Sequence, residues 1–403
     1  MAPEGHSFSL LANPAARRRA PWSEEQDAIL NDRAFAEACA TITAWPGYAA
    51  TPLVPLPGLA AELGVGALHY KDEASRFGLG SFKALGGAYA VARVILSRAE
   101  ATGTPLSMAD LAAGRADSAD LTVCCATDGN HGRSVAWGAR TFGCRCVIFI
   151  HATVSEARRR AIEAYGAEVR RTAGNYDDSV REAEATARRE GWVVVSDTSY
   201  PGYTDIPRDV MQGYELMAAE AFDALPEPPT HVFLQTGVGG MAAAVAAQAK
   251  RRWGAHRPTI VLADPDRSAC WFDSMKAERP VAVQGDVDTL MAGLACGEVS
   301  LLAWEILKDH ADAVIAIPDP AAVEMMRRLA RPPAGDPPLV AGESAVAGLA
   351  ALALAMQDET AVDTLGLGPA SRVLVFGTEG DTDADLYREL VGADAATVRR
   401  AAA

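Results

Sequence analysis

Short strand-like runs alternate with longer amphipathic stretches through the middle of the chain. The first runs are LTVCCAT, CRCVIFIH, EVRRT and WVVVSD, and between them lie HGRSVAWGARTFG, SEARRRAIEAYGA and YDDSVREAEATARREG. Strands that alternate with helices of about 10 to 15 residues are typical of βαβ units, in which the strands run parallel. The pattern therefore predicts an open parallel sheet covered by helices.

A second series of the same kind follows the irregular segment TSYPGYTDIPRD. Its strand-like runs are THVFLQ, TIVLAD, AVIAIPD and SRVLVFGTEGD, and its helical stretches include VMQGYELMAAEAFDAL, GVGGMAAAVAAQAKRRWG, AAVEMMRRLAR and ESAVAGLAALALAMQ. This series predicts a second parallel sheet, so the fold class is α/β with two sheets. The first fifty residues are predicted to be mainly loop, with a single helical stretch in SEEQDAILNDRAFAEACATITAW.

Composition and charge narrow the class of protein. The 403 residues are 49% hydrophobic and 22% charged, as in globular proteins, and the formal net charge of −15 argues against a nucleic-acid partner. No apolar run is long enough for a membrane span, and the N-terminus lacks the order of a signal peptide. The seven cysteines form no Cys-x-x-Cys pair. We expect a cytoplasmic protein without a metal and without a membrane or nucleic-acid partner.

A glycine-rich turn joins the run THVFLQ to an alanine-rich helix. Its residues are Gly237, Val238, Gly239 and Gly240. Backbone N–H groups at such a helix N-terminus can surround a phosphate. The spacing also fits a dinucleotide fingerprint, with Asp264 at the end of the next strand as the ribose-binding acid. A tight turn without a ligand is the third interpretation, because a lone glycine pattern has low specificity.

Lys83 lies between small and apolar residues in the segment GSFKALGG. Ser81 and Phe82 precede it and Gly86 and Gly87 follow, at the predicted start of a helix. A lysine after a strand is usually a solvated surface residue. Here, however, desolvation and the positive end of the helix dipole would both lower the pKa of the amine and make it a better nucleophile. A nucleophilic lysine together with a phosphate-binding turn indicates pyridoxal phosphate, whose aldehyde forms a Schiff base with lysine.

The segment TDGNHG ends the run LTVCCAT and precedes a helix. Polar ligands bind across strand ends in parallel sheets, and Asn130 of this segment can donate a hydrogen bond to a phenolate oxygen. An Asx turn that caps the helix without any ligand would produce the same sequence. The segment therefore predicts a ligand-binding loop or a simple helix cap.

Four motifs in this order, SFKALGG, TDGNHG, TGVGGM and VFGTEGDTD, resemble those of the fold-type II pyridoxal-phosphate enzymes, the group of threonine dehydratase and cysteine synthase. The resemblance extends from about Pro52 to Asp383. Within the group, SDTSYPGYTDIPRDVMQGY and MAGLACGEVSLLAWEIL are most similar to the diaminopropionate ammonia-lyases. The resemblance implies a tryptophan synthase β-like fold of two open parallel-sheet domains with the cofactor in the cleft between them. A large cofactor-binding domain would comprise 1–90 and 205–403, and a smaller inserted α/β domain 91–204.

The resemblance also implies how the cofactor, pyridoxal 5'-phosphate, would be bound. Lys83 would carry it as a Schiff base, Asn130 would contact the ring hydroxyl, and Thr378 would contact the pyridine nitrogen. The turn Gly237–Gly240, including Val238, would hold the phosphate. A hydroxyl at the ring nitrogen is a neutral partner, so that nitrogen need not be fully protonated.

Two carboxylates complete the implied catalytic set of Lys83, Asp128 and Asp197. Asp128 stands where related dehydratases usually have a small residue or serine, and Asp197 closes the run WVVVSD. A carboxylate beside the cofactor can attract a second substrate ammonium and can move a proton on the face opposite Lys83. An alternative interpretation of Asp197 is a strand-end residue that caps the following turn.

The reaction implied is α,β-elimination of D- and L-2,3-diaminopropionate to pyruvate and two ammonia. Lys83 would remove the Cα proton of the L isomer and Asp128 that of the D isomer. One alternative is a serine, threonine or hydroxyaspartate dehydratase on the same scaffold. Another is a non-catalytic nucleotide-binding protein that uses the glycine turn alone. Relatives of this kind are commonly homodimers, and we expect a homodimer here.

Overall fold

A computed structural model of the chain describes residues 6–401 except for 117, 128, 175 and 286. The strands are β1 (Ser9–Ala12), β2 (Leu53–Pro55), β3 (Ala67–Asp72), β4 (Thr122–Ala126), β5 (Arg145–Ile150), β6 (Glu168–Arg171), β7 (Val193–Val194), β8 (His231–Gln235), β9 (Thr259–Pro265), β10 (Ala313–Ile317) and β11 (Arg372–Gly377). The helices are α1 (Glu24–Ile29), α2 (Asp32–Thr43), α3 (Pro57–Leu63), α4 (Ala84–Ala101), α5 (Met108–Ala112), α6 (Asn130–Phe142), α7 (Glu156–Glu163), α8 (Tyr176–Glu190), α9 (Asp205–Ala224), α10 (Gly240–Trp253), α11 (Cys270–Ala277), α12 (Leu301–His310), α13 (Asp319–Ala330), α14 (Ala347–Ala355), α15 (Glu359–Leu365), α16 (Ala384–Val391) and α17 (Ala395–Ala401).

The first of two compact units consists of Met1–Ile29, Ala50–Gly80 and Met217–Ala403, as far as these ranges are described. Its sheet has the strand order β1-β10-β9-β8-β11-β3-β2. The five inner strands are parallel, and β1 and β2 pair antiparallel at the two edges. Every residue of β8 and β10 is buried. Both faces of a parallel sheet are covered, which is why these strands read as continuous apolar runs.

The second unit consists of Leu30–Ala49 and Ser81–Leu216, and it contains a parallel sheet with the strand order β6-β5-β4-β7. Cys124 and Cys125 lie inside β4 and are fully buried, so they are core residues of this sheet. The chain passes from this unit into the first within α9. No helix among the described residues combines the length and the hydrophobicity that a membrane crossing requires.

The two parallel sheets predicted from the apolar runs are confirmed, and the N-terminal region differs from the prediction. The single helical stretch is two helices, α1 and α2, because Asn31 interrupts it as the N-cap of α2 and accepts a hydrogen bond of 2.9 Å from the N–H of Ala34. The edge strand β1 lies in the part that was predicted as mainly loop, and the edge strand β2 follows just after that part. They have four and three residues, which is too short for a recognisable alternation. The domain boundaries at residues 90 and 205 stay a prediction.

Candidate active site

Lys83 lies where a short loop enters α4. Its backbone is helical, and its carbonyl oxygen accepts hydrogen bonds from the N–H groups of Gly86 and Gly87. A Cβ on Gly86 would lie 2.5 Å from the ring of Tyr214, and a Cβ on Gly87 would lie 2.0 Å from Oγ of Ser134. The two glycines therefore allow α9 and α6 to approach the first turn of α4, and the backbone that carries Lys83 is enclosed.

The side chain of Lys83 is largely screened from water. Its exposed fraction is 19%, and its Nζ lies 5.4 Å from the ring centroid of Phe82 and 5.8 Å from that of Tyr214. The same Nζ donates a hydrogen bond of 2.6 Å to Oδ2 of Asp197. The amine therefore lies beside two aromatic rings and is bound to one carboxylate.

Asp197, which follows β7, is the anionic partner of Lys83. Burial by itself would raise the pKa of this carboxyl. The charges of Lys83 and His131 and the hydrogen bond from Lys83 outweigh burial and hold the pKa well below its usual range. Asp197 is consequently a carboxylate at neutral pH and accepts the hydrogen bond from Lys83. In this state Asp197 can bind a cation but cannot donate a proton.

His131 faces the same carboxylate and was not selected from the sequence. Its Nε2 lies 2.8 Å from the carbonyl oxygen of Val195, and its Nδ1 lies 3.7 Å from Oδ2 of Asp197. A carbonyl only accepts, so Nε2 carries the proton and Nδ1 presents a lone pair in the neutral ring. Burial lowers the pKa of His131, with Asp197 opposing this effect. The signal that could have found it is its position next to Asn130 in TDGNHG.

Tyr214 is another residue of this cluster that sequence reasoning missed. It is 1% exposed, and its ring centroid lies 4.6 Å from that of Phe82. Burial raises the pKa of Tyr214 above its ordinary value while the charge of Lys83 opposes this rise. Tyr214 is therefore a neutral phenol at physiological pH. Its segment QGYELM has no feature that marks it, because its position results from the packing of α9 against α4.

Asn130 is the first residue of α6. Its Oδ1 accepts a hydrogen bond of 2.5 Å from the guanidinium of Arg133, which orients the amide because a guanidinium only donates. The hydroxyl of Thr127 accepts hydrogen bonds of 3.0 Å and 3.1 Å from the N–H groups of Gly129 and Gly132 at the start of the same helix. Asp128, predicted as a catalytic residue, lies outside the described residues.

The glycine turn lies in the first unit, between β8 and the 14-residue helix α10. Gly239 has a φ of +95°, and a Cβ there would lie 2.1 Å from the indole of Trp271. The indole Nε1 donates a hydrogen bond of 2.9 Å to the carbonyl oxygen of Gly237. The first N–H groups of a helix have no partner within the helix and attract anions. The turn from Gly237 to Gly240 is therefore suited to a phosphate and has no space for a side chain at Gly239.

Asp264, the ribose-binding acid of the dinucleotide interpretation, is buried and accepts hydrogen bonds from neighbouring residues. It is 0% exposed and accepts hydrogen bonds of 2.9 Å and 3.0 Å from the N–H groups of Trp271 and Phe272, and another from the hydroxyl of Thr236. Burial raises the pKa of Asp264 to about 7, against the effect of these hydrogen bonds. Because Asp264 is enclosed and has three internal donors, it supports the glycine turn and is not placed to bind a ribose.

Thr378 follows β11 and is 4% exposed. Its Oγ1 accepts a hydrogen bond of 2.7 Å from Nε2 of Gln235, the last residue of β8. The strands β8 and β11 are parallel neighbours, so their carboxyl ends meet at one edge of the sheet, where α/β proteins bind ligands. Gln235 was not selected from the sequence, although a polar residue at the end of an apolar run is a usable signal.

Cys270 and Cys296, whose proximity the sequence left open, both lie beside the glycine turn. The Sγ of Cys270 is 3.6 Å from the carbonyl oxygen of Gly237, and a Cβ on Gly237 would lie 3.1 Å from Sγ of Cys296. Neither forms a disulfide with another described residue. Burial raises the pKa of Cys270, which makes this thiol a neutral packing residue.

Known proteins resemble this chain in sequence and in fold over nearly the whole length. A family model described as "Pyridoxal-phosphate dependent enzyme" matches residues 44–376. Diaminopropionate ammonia-lyase of Salmonella typhimurium is 38% identical over 375 residues, which cover 90% of this chain and 93% of the relative.

Two solved structures of the Escherichia coli diaminopropionate ammonia lyase are also similar. The holo form is 37% identical with a TM-score of 0.88, and the match covers 96% of this chain and 97% of that chain. The complex with an aminoacrylate-PLP azomethine reaction intermediate is 36% identical with a TM-score of 0.87, with the same coverage.

Proposed function

Because the chain belongs to the family of pyridoxal-phosphate dependent enzymes, we infer that it is an ammonia-lyase that acts on D- and L-2,3-diaminopropionate. The products are pyruvate and two ammonia. The relatives that support this substrate are named for it and match this chain over most of their length. The family, the cofactor and the lyase class predicted from the four sequence motifs are confirmed by these relatives.

The residues present fit pyridoxal phosphate. The turn Gly237–Gly240 offers helix N-terminal N–H groups and, at Gly239, a backbone that has no space for a side chain. We propose that this turn holds the phosphate, that Lys83 binds the aldehyde, that Asn130 contacts the ring hydroxyl and that Thr378 contacts the pyridine nitrogen. When bound, pyridoxal phosphate supplies a conjugated ring that takes up the electron pair released at the substrate Cα.

Lys83 is the proposed base for the L isomer. As a neutral amine, its Nζ would remove the Cα proton, and the ammonium so formed would be stabilised by the carboxylate of Asp197 at 2.6 Å. The surrounding aromatic rings of Phe82 and Tyr214 limit the access of water to the amine. For the D isomer, we propose that Asp128 removes the proton from the opposite face.

The position of the Asp197 carboxyl group beside Lys83 is the observation that favours a diamine over a hydroxyamino acid. A β-ammonium leaves as neutral ammonia and needs no further proton. A β-hydroxyl needs a proton from an acid in order to leave as water, and it has no positive charge for the Asp197 carboxylate to bind. We therefore propose that the Asp197 carboxylate binds the β-ammonium of the substrate. The released enamine then hydrolyses to pyruvate and a second ammonia.

A substrate panel on the purified, cofactor-loaded enzyme tests this function. Pyruvate formation would be measured with D-diaminopropionate, L-diaminopropionate and serine, oxaloacetate formation with hydroxyaspartate, and 2-oxobutyrate formation with threonine. We expect the highest kcat/KM for diaminopropionate. Faster turnover of serine, threonine or hydroxyaspartate would instead assign the chain to the dehydratases on the same scaffold.

We further propose that the enzyme is a cytoplasmic homodimer. The support is the family likeness together with the seven cysteines, none of which forms a disulfide among the described residues, as is usual in a reducing compartment. Light scattering after size exclusion would give the mass of a dimer of the 42.3 kDa chain. A monomer mass at micromolar concentration would contradict the dimer, and recovery in the periplasmic fraction would contradict the location.

A further inference from the structure

Gln235 connects the glycine turn with Thr378. It is the last residue of β8, close before the turn, and only 3% of it is exposed. Its Nε2 lies 2.7 Å from Oγ1 of Thr378 and 2.8 Å from the carbonyl oxygen of Phe376, with a longer contact of 3.4 Å to the carbonyl oxygen of Ala345. One buried amide group therefore binds both the residue after β11 and the strand itself.

The orientation of this amide is determined by its neighbours. The carbonyl oxygen of Phe376 only accepts, so the atom that faces it at 2.8 Å must be the NH2 of Gln235. The Oε1 of Gln235 has no donor among the described residues. The reversed amide would direct that oxygen against the Phe376 carbonyl. The fold thus leaves one buried oxygen unpaired and uses both N–H groups as donors.

This orientation defines the role of the Thr378 hydroxyl. Because the second N–H of Gln235 points at Oγ1, that oxygen is an acceptor and its own proton must point elsewhere. No other hydrogen bond of Oγ1 is found in the part of the chain that the structure describes. If Oγ1 also accepted from a protonated pyridine nitrogen, its hydroxyl proton would be buried without an acceptor, which is unfavourable. An unprotonated nitrogen supplies that acceptor.

We propose that Gln235 is a positioning residue that holds the Thr378 hydroxyl as a hydrogen-bond donor and thereby selects the unprotonated form of the cofactor's pyridine nitrogen. The inference rests on the proposed function, in which Thr378 is the partner of that nitrogen. A purely structural Gln235 would only extend the pairing of β8 and β11, which already spans Val373–Val375. The two roles differ in one measurable quantity, the protonation state of the ring nitrogen.

The experiment uses the full chain reconstituted with pyridoxal phosphate labelled with ¹⁵N in the ring. The ¹⁵N chemical shift reports protonation of that nitrogen and does not depend on turnover. We expect the unprotonated shift in the wild type. In Gln235→Glu, a protonated carboxyl group would donate to the carbonyl oxygen of Phe376 and accept the proton of the Thr378 hydroxyl. This leaves a lone pair of Oγ1 toward the ring, so the shift should move toward the protonated value. Gln235→Met, which removes both donors, should give a shift between the two.

The controls separate this role from simple destabilisation. Gln357→Glu breaks a hydrogen bond of the same chemical kind at an exposed position, from the amide Nε2 to the carbonyl oxygen of Ala353 at 2.9 Å, and should leave the ring shift unchanged. Thermal unfolding identifies any variant that does not fold. If Gln235→Glu does not fold, Gln235→Met replaces it as the test. A protonated ring in the wild type would overturn the proposal.

Two further outcomes would also overturn it, and they differ from a failure of the proposed function. If Thr378→Val moves the shift but folded Gln235 variants do not, Gln235 does not act through Thr378. If neither residue affects the shift, Thr378 is not the partner of the ring nitrogen. The substrate panel on the wild type decides the ammonia-lyase activity independently of both results.

Discussion

The Nζ of Lys83 and the Oδ2 of Asp197 are 2.6 Å apart, although the two residues are separated by 114 positions in the sequence. Lys83 immediately precedes α4 and Asp197 follows β7, and both belong to the second unit. Both side chains are mostly buried, so their mutual attraction is stronger than it would be in water. This pair gives an amine that is screened from solvent an anionic hydrogen-bond partner.

The first prediction concerns the covalent attachment of the cofactor. Lys83→Ala should lose the visible absorbance band of lysine-bound pyridoxal phosphate, because no other amine is predicted to form the Schiff base. Reconstitution followed by desalting and an absorbance spectrum measures this. Lys276→Ala, at an exposed position on α11, is the control and should keep the band. A band that persists in Lys83→Ala would contradict the assignment of Lys83.

The second prediction concerns the choice between a diamine and serine. Asp197→Asn removes the charge that binds the β-ammonium, so kcat/KM for diaminopropionate should fall by roughly 100-fold, or about 3 kcal/mol. Any serine activity should fall by less. Asp209→Asn is the control, because Asp209 is a largely buried carboxyl group 3.5 Å from Arg93 in the same unit. Equal losses for both substrates in Asp197→Asn would show that the carboxylate does not distinguish the β-ammonium from the β-hydroxyl.

The third prediction concerns the two isomers of the substrate. Asp128→Asn should reduce turnover of D-diaminopropionate far more than that of the L isomer, because the proposed base for the L isomer is Lys83. Steady-state pyruvate assays with the separate isomers measure the ratio. Losses of the same size for both isomers would reject bases on opposite faces.

The fourth prediction concerns the space at the glycine turn. Gly239 has a φ of +95° and is in contact with Trp271, whereas Gly335 has a φ of +100° and a Cβ there would meet no atom within 4 Å. Gly335→Ala should therefore lower the free energy of unfolding by about 1–2 kcal/mol through backbone strain alone. Gly239→Ala should lower it further and weaken cofactor binding, because Trp271 must move. Urea denaturation and cofactor titration measure both, and equal effects of the two variants would contradict the contact.

The fifth prediction concerns pH and Asp264, whose pKa burial raises to about 7 from an ordinary value of 3.8. At a pH between these two pKa values, the native state holds a proton on Asp264 that the unfolded chain has released. The free energy of unfolding therefore falls as pH rises, and the stabilisation from this proton is lost above about pH 7. From about pH 5 to about pH 7, the free energy of unfolding of the wild type should therefore fall by about 2 kcal/mol more than that of Asp264→Asn.

Urea denaturation of the cofactor-free protein at the two pH values measures the difference. Asp363→Asn, at an exposed position on α15, is the control and should follow the wild type. If Asp264→Asn shows the same pH dependence as the wild type, Asp264 is ionised throughout this range.

The inner strand β3 was not predicted, because its residues ALHYKD include a histidine, a lysine and an aspartate and do not form an apolar run. The other inner strands of both sheets could be predicted because they are buried on both faces and therefore read as apolar runs. The runs around Phe233, Val261 and Val375 are examples, and all three residues are fully or almost fully buried. The edge strands β1 and β2 could not be predicted in this way. They are short, and their pairing depends on a neighbouring strand that the local pattern does not specify.

The sequence by itself determined the two parallel sheets, the glycine turn and the distinctive position of Lys83, because each depends on residues that are close together in the chain. Only the tertiary structure decided which side chains surround them. His131 and Tyr214 join Lys83, and Gln235 joins Thr378, through the order of strands and the packing of helices. The physical reason is that hydrophobic periodicity encodes which face of an element is buried, but it does not encode which distant element covers that face.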